Sequence, residues 1–170
     1  FGGNFICGVW LFLIGMFLRN ASRMSYRQVL IRKSLEGEPV ERFMNDQPAT
    51  VPPSTTVQEL VEHYVYRYHY KMYPVVDEGK LRGCVTLNQI KEVPRNKWSE
   101  TTVEDLSQTC DRENSISKSA DAVEALKLMN QTKNSRLLVT DGDRLAGIIT
   151  LKDLLEFFSL KLDLEGEEGP

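Results

Sequence analysis

Gly147-Ile148-Ile149-Thr150-Leu151-Lys152-Asp153 has an altered copy 64 residues upstream, Gly83-Cys84-Val85-Thr86-Leu87-Asn88-Gln89. In each copy we expect the glycine to let the chain leave a turn, the two apolar residues to form a buried strand, and the Thr to precede an apolar helix. The repeat therefore predicts two linked copies of one small unit. The copies are unequal, because only the second ends in a carboxylate.

Each copy lies within a longer unit that has the same predicted order of strand, helix, strand, strand and helix. In the first unit, 40–93, these elements are predicted at 48–51, 57–64, 73–76, 81–86 and 87–93. In the second unit, 102–160, they are predicted at 115–117, 122–129, 136–139, 145–150 and 151–160. A polar linker at 94–101 carries one anchoring Trp. Units of this size should pack sheet to sheet, which predicts an α+β fold.

The two units resemble a tandem CBS-domain pair, or Bateman module, and the string Gly-x-x-Thr-x-x-Asp is similar to the ribose-and-phosphate motif of that family. The resemblance covers about two thirds of the chain. It implies that the units pack as a pseudo-twofold pair and that an adenine nucleotide, ATP, ADP or AMP, binds between them. It also implies a homodimer, because CBS pairs commonly associate into disc-like dimers.

By this resemblance, Thr150 would contact the phosphate and Asp153 the ribose of the nucleotide. The same two residues also suit a helix N-cap with an acidic residue in the first turn, so the sequence predicts a cap whether or not a ligand binds. The adenine would lie against the other unit, at Ala49, Thr50, Val51, Pro74, Val75 and Val76. These residues could equally belong to the hydrophobic core.

In the first copy, Thr86 and Gln89 still satisfy the capping box Ser/Thr-x-x-Glu/Gln. Ribose binding should be weaker there, because the amide is uncharged and carries a donor where the ribose hydroxyls need acceptors. We therefore expect one competent nucleotide site and one weak or empty site. The wall of the weak site would comprise Ser115, Ile116, Ser117, Leu137 and Leu138. Phosphates could be neutralised by Lys71, Lys152 or Arg136, which the sequence does not rank.

Residues 1–18 carry no charge, and the run from Phe5 to Leu18 is apolar on every face. Eighteen helical residues at ~1.5 Å each reach about 27 Å, close to the ~30 Å of a bilayer core. This predicts the end of a last transmembrane helix. The basic linker 19–39 then places the rest of the chain on the cytoplasmic side of the cell membrane. The alternative is a buried helix of a soluble domain.

The stretch from Gly8 to Ala21, followed by Ser25-Tyr26 and the paired units, is similar to the final membrane helix and cytoplasmic tail of site-2-protease-type intramembrane zinc metalloproteases. The chain begins at Phe1, so we read it as a regulatory piece of such a protease, with the zinc ligands upstream. The helical stretch 25–35 would couple the parts or act as a spacer. Alternatives are a ligand-free oligomerisation module and a CBS sensor of a transporter or channel.

Several function classes find no support in the composition. The net charge of −3, without a basic stripe, argues against nucleic-acid binding. His63 and His69 are six residues apart and belong to no His-Glu-x-x-His string, so we expect no metal site. No P-loop, nucleophile elbow or paired-carboxylate motif is present, so we expect no catalysis. Cys84 should be a small buried hydrophobe, and the acidic tail 161–170 a solvated end.

Overall fold

The computed structural model describes residue 29 and residues 31–109 and 113–165. The predicted membrane helix at 1–18 and the linker residues 19–28 lie outside them. Within the described part of the chain we find no helix whose length and hydropathy would suit a membrane span.

The first unit is built from one helix, a β-hairpin and a short closing helix. Helix α1 comprises an α-helical turn at Val57–Glu59, a π-helical stretch at Leu60–Val65 and an α-helical turn at Tyr66–Tyr68. Strands β1 (Met72–Asp77) and β2 (Lys80–Thr86) pair antiparallel, and α2 (Leu87–Glu92) follows. The strand predicted at 48–51 is reduced to one parallel bridge between Val51 and Val75.

The second unit repeats this order, and its first predicted strand is formed. After α3 (Val103–Leu106) and β3 (Gln108–Thr109) come β4 (Ser115–Ser117), α4 (Ala122–Thr132), β5 (Arg136–Asp141), β6 (Arg144–Thr150) and α5 (Leu151–Glu165). Strand β4 pairs parallel with β5, and β5 pairs antiparallel with β6. The predicted α+β class and the order of elements in this unit are confirmed.

The segment that begins the first unit packs on the second unit. The main-chain N–H of Val40 donates to the carbonyl of Ala120 at 2.8 Å, and Asn45 forms an antiparallel bridge with Ile148 of β6. Residues 31–35 are helical, and Leu35 is fully buried in the core of the second unit.

The segment that begins the second unit packs reciprocally on the first. The N–H of Val103, the first residue of α3, donates to the carbonyl of Thr55 at 2.8 Å. Strand β3 pairs antiparallel with β2 and completes the sheet of the first unit. In each packed unit, the edge of the fold is therefore formed by a segment from the other copy of the repeat. The unit boundaries predicted from the sequence do not indicate this exchange.

This exchange explains the repeated glycines Gly83 and Gly147 and corrects the prediction that they leave turns. Both are buried within strands, and a Cβ on either would lie closer than 3.0 Å to a carbonyl oxygen, that of Gln108 or of Asn45. The glycines admit the backbone of the exchanged segment. The turns are made by other glycines, at 79 and 142, which adopt φ of 80° and 65°.

The two units meet through their sheets, as predicted. Between them lies a small apolar cluster of Met72, Cys84 and Leu138, flanked by Leu81, Leu145 and Ile148. The N–H of Leu81 donates to the carbonyl of Asp143 at 3.0 Å across the same contact. Cys84 is 2% exposed, so the prediction of a small buried hydrophobe is confirmed.

Aromatic residues fix three corners of the fold. Tyr64, Tyr68, Tyr70 and Tyr73 contact one another where α1 turns into β1. Nε1 of Trp98 donates to the carbonyl of Val93 at 2.9 Å and anchors the linker. In α5, Leu155 is 41% exposed, and Phe157 packs inward, edge-on to Phe43 with 4.7 Å between the ring centroids.

Candidate functional site

The corner between β6 and α5 is closed by a capping box. The main-chain N–H and the hydroxyl of Thr150 donate to Oδ2 of Asp153 at 2.8 and 2.7 Å, and the N–H of Asp153 donates back to Oγ1 of Thr150 at 3.2 Å. The predicted cap is therefore confirmed. Oδ1 of the half-buried Asp153 accepts no hydrogen bond from the described residues, so one carboxylate oxygen remains available to a ligand.

At the equivalent corner between β2 and α2, both the oxygen and the nitrogen of the Gln89 side chain are hydrogen-bonded within the protein. Oε1 of Gln89 accepts from the main-chain N–H and the hydroxyl of Thr86 at 2.7 and 2.8 Å. Nε2 of Gln89 donates to the carbonyl of Leu106 in α3 at 2.7 Å. Gln89 therefore serves the fold with both ends of its amide, and the predicted capping box is confirmed.

The predicted adenine wall divides into core and surface. Val51, Pro74 and Val75 are buried, Ala49 and Val76 are half-buried, and Thr50 is exposed. The N–H of Val51 donates to Pro74, and its carbonyl accepts from Val76. A ligand at this wall would meet Ala49, Thr50 and Val76, supported by the buried residues behind them.

A cleft of about 410 Å³ lies between the two units, beside Thr86. Among the described residues, four cationic side chains line it, Lys71 and Lys91 from the first unit and Lys133 and Arg136 from the second, and no carboxylate does. The remaining lining residues are Met72, Cys84, Thr86, Leu87, Asn88, Gln108, Asn114, Asn134 and Ser135. Of the three cations proposed from sequence, Lys71 and Arg136 are in this cleft, while Lys152 forms an ion pair with Glu156 at 3.1 Å.

The wall predicted for the Thr86 site lies close to this cleft but does not line it. Leu137 and Leu138 are buried, Ser115 and Ile116 are half-buried, and Ser117 is exposed. The second unit instead contributes Asn114 and Arg136, which directly precede these strand residues.

Arg136 connects the two corners. It is the cross-strand partner of Thr150 in the β5–β6 pair, and side chains directly opposite each other stand on the same face of a sheet. Arg136 therefore stands beside the Thr150 cap and also lines the cleft beside Thr86.

Sequence reasoning missed Lys91 and Lys133. Lys91 lies in the last turn of the six-residue helix α2. Lys133 ends α4 with φ of 59°, a left-handed conformation that favours Gly or Asn. No local pattern marks either lysine, because the cleft forms only when the units pack.

A larger groove of about 640 Å³ lies along α1, away from both Thr corners. It is lined by Pro52, Ser54, Thr55, Glu59, His63, Tyr64, Arg67 and Tyr68. The pKa of its Glu59 is lowered by hydrogen bonds from the main-chain N–H and the hydroxyl of Thr56, which is the capping box of α1. The groove therefore contains a structural carboxylate and no convergent set of cations. In the part of the chain that the structure describes, no three His, Cys, Asp or Glu side chains gather as a metal site would.

The CBS-domain family model matches residues 40–96 and 101–160, which together are more than half of the chain. This chain belongs to the CBS-domain family. The two matched repeats agree with the predicted tandem CBS pair.

Relatives and solved structures extend this assignment. The chain is 30% identical over 154 residues to the protein named "Putative zinc metalloprotease Rip3" of Mycobacterium tuberculosis, covering 89% of this chain and 39% of that protein. It is 28% identical over 157 residues to zinc metalloprotease MJ0392 of Methanocaldococcus jannaschii, covering 92% and 42%. The chain thus spans about two fifths of the length of these relatives. The crystal structure of CBSX2 in complex with AMP superposes with a TM-score of 0.64 at 25% identity, covering 75% of this chain and 99% of that one.

Proposed function

We propose that this CBS pair is a regulatory module that binds an adenine nucleotide between its units and controls a membrane-embedded zinc metalloprotease. One observation carries the ligand assignment: Asp153 keeps a carboxylate oxygen without a partner among the described residues, whereas both ends of the equivalent Gln89 are bonded. The likeness to a CBS structure that holds AMP supports the choice of an adenine nucleotide.

In this proposal, Asp153 accepts hydrogen bonds from the ribose hydroxyls, because a carboxylate is a strong acceptor for two neighbouring donors. Arg136, the cross-strand neighbour of Thr150, neutralises the phosphate. The adenine lies against Ala49, Thr50 and Val76. The first corner, at Thr86 and Gln89, holds no ribose.

The exchanged N-terminal segment could transmit a conformational change from the nucleotide site towards the membrane. Helix α5, which carries Asp153, contacts Phe43 through Phe157, and β6, which ends at Thr150, pairs with Asn45. The segment that contains Phe43 and Asn45 continues upstream into the helical residues 31–35. A nucleotide that favours one position of α5 therefore biases the chain that leads to residues 1–28.

The protease assignment rests on the named zinc metalloproteases that match nearly the whole of this chain. In the proposal, the zinc ligands belong to a membrane domain upstream of Phe1. The CBS pair lies on the cytoplasmic side of the cell membrane, forms a homodimer and performs no catalysis itself.

Thermal unfolding in the presence of ATP, ADP and AMP tests the sensor. A ligand at ~100 times its dissociation constant should add ~2.7 kcal/mol of stability, so a true site gives a clear rise in melting temperature. Asp153→Ala should abolish the rise. If none of the three nucleotides changes the melting temperature at millimolar concentration, the chain is an interaction module and not a nucleotide sensor.

A further inference from the structure

The last turns of helix α5 expose leucines on the side of the helix that packs against the fold. Phe157 packs edge-on to Phe43, and Leu154 is fully buried in the core of the second unit. Leu160 and Leu164 follow Phe157 by three and seven residues, so all three side chains lie on one side of the helix. Yet Leu160 is 55% and Leu164 is 78% exposed. The contact that α5 makes with the N-terminal segment therefore continues as an uncovered apolar surface.

The N-terminal chain enters the fold at the core cluster that α5 covers. Ile31 packs against the cluster that contains Leu154. Upstream, Met24 precedes Ile31 by seven residues, the spacing at which a helical stripe repeats. Seven helical residues span about 10 Å, and the six residues from Leu154 to Leu160 span about 9 Å. The basic segment, residues 19–28, is therefore long enough to reach the exposed leucines.

Charge favours the basic segment as the partner of this end of α5. Residues 19–33 contain no carboxylate and five cations, which are Arg19, Arg23, Arg27, Arg32 and Lys33. In α5, Asp163 lies three residues after Leu160 and forms no ion pair with a described residue. The C-terminal end of a helix also carries a partial negative charge. A positively charged segment is therefore attracted to the end of α5 and not to its start.

We propose that the basic segment docks antiparallel along the C-terminal half of α5. Met24 covers Leu160, and Arg23 and Arg27 lie close to Asp163. Contiguous exposed apolar side chains mark a packing surface, and the last turns of a helix gain stability when such a surface is covered. The inference does not rest on nucleotide binding, so its failure would leave the proposed function intact.

Disulfide cross-linking in the full 170-residue chain, purified in a neutral detergent, tests this contact. In a background with the three natural cysteines replaced by alanine, Met24→Cys/Leu160→Cys should form an intrachain disulfide on mild oxidation. The control pair Met24→Cys/Leu155→Cys moves the second thiol about 140° around the helix, to another exposed leucine. It should cross-link roughly tenfold more slowly, because a disulfide requires close approach of the two residues. Equal rates in the two pairs would overturn the proposal.

Two other partners for the leucines give different results. A disulfide that joins two chains, seen as a dimer on a gel without reductant, would assign the surface to a second copy and refute the proposal. Hydrogen exchange of the amides of 160–164 tests a lipid surface. We expect these amides to be protected in neutral detergent already. Protection that appears only in vesicles of anionic phospholipid would assign the leucines to the membrane surface and refute the proposal.

Charge reversal provides a second readout that needs no cysteine. Arg23→Glu/Arg27→Glu should raise the exchange rate of the last turns of α5 by about fivefold or more, because the segment would then repel Asp163. Adding Asp163→Arg should restore the protection. The matched control Arg32→Glu/Lys33→Glu makes the same charge change at two exposed described residues and should leave the rates within about twofold. An equal rise in the control, or no recovery with Asp163→Arg, would contradict the proposal.

Discussion

Nε2 of Gln89 donates a hydrogen bond to the carbonyl oxygen of Leu106 at 2.7 Å. Leu106 ends α3, the helix that the first unit receives from the second half of the chain. An aspartate at position 89 would have no donor for this carbonyl. Gln89, the residue that distinguishes the first copy of the repeat from the second, therefore also holds the exchanged helix in place. The difference between Gln89 and Asp153 thus affects the fold as well as ligand binding.

Gln89→Asp should convert the first corner into a ribose acceptor. The capping box should persist, because Thr102 and Asp105 form the same box with an aspartate. The lost bond to Leu106 should cost about 1 kcal/mol of unfolding free energy. Titration calorimetry should show the nucleotide stoichiometry rising from one to two. An unchanged stoichiometry of one would show that the residue at position 89 is not what prevents nucleotide binding at the first corner.

Gly147→Ala should destabilise the fold through the exchanged segment. The added methyl group would meet the carbonyl oxygen of Asn45 and the sulfur of Met44. Because the main chain can move little there, we expect a loss of about 2–3 kcal/mol in urea unfolding. Ser159→Ala, on the exposed side of α5, serves as the control. A loss below that of the control would refute the close approach of Asn45.

Much of the fold follows from local pattern in the sequence. The apolar runs at 73–76 and 136–139 predict the strands that open the hairpins, and the Thr86 and Thr150 capping boxes predict where helices begin. The exchange of 40–47 and 103–109 between units could not be predicted, because either copy of this segment fits either sheet by local pattern. The glycines at 83 and 147 are a consequence of this exchange, but from sequence alone a glycine in a strand is equally consistent with the end of a turn. The cationic cleft is similarly non-local, since Lys91 and Lys133 lie 42 residues apart.

Phe157→Ala should uncouple the N-terminal segment from nucleotide binding. The edge-on contact with Phe43 joins α5 to this segment, and its loss should cost about 2–3 kcal/mol. In the natural chain, nucleotide should increase hydrogen-exchange protection of the amides of Val40 and Asn45. Phe157→Ala should still bind nucleotide but show no such increase. Phe158→Ala, half-buried on the same helix, should retain it, and loss in both variants would argue against this route.

The cap of α1 should give the chain an acid-sensitive stability. Hydrogen bonds from the N–H and then the hydroxyl of Thr56 hold the pKa of Glu59 below its ordinary value of 4.5. The folded pKa is lower than the unfolded one, so this stabilisation is full above pH 4.5 and is lost as the pH falls through the lowered pKa. Glu59→Gln keeps the box without the charge. Its melting temperature should lie below that of the natural chain at pH 7 and converge with it in acid.

A matched variant separates this local effect from net charge. Glu100→Gln removes an exposed carboxylate of the linker that caps no helix. Its melting temperature should stay close to that of the natural chain at pH 7. If the difference in melting temperature between Glu59→Gln and the natural chain widened as the pH fell, the lowered pKa of Glu59 would be contradicted.

In the proposed function, the available carboxylate oxygen of Asp153 makes the second corner the nucleotide site. Titration calorimetry of ATP, ADP and AMP into the natural chain, Asp153→Ala and Gln89→Ala tests it most directly. We predict saturable binding of one nucleotide per chain that is lost in Asp153→Ala and retained in Gln89→Ala. Equal loss in the two variants, or undiminished binding by Asp153→Ala, would contradict the account.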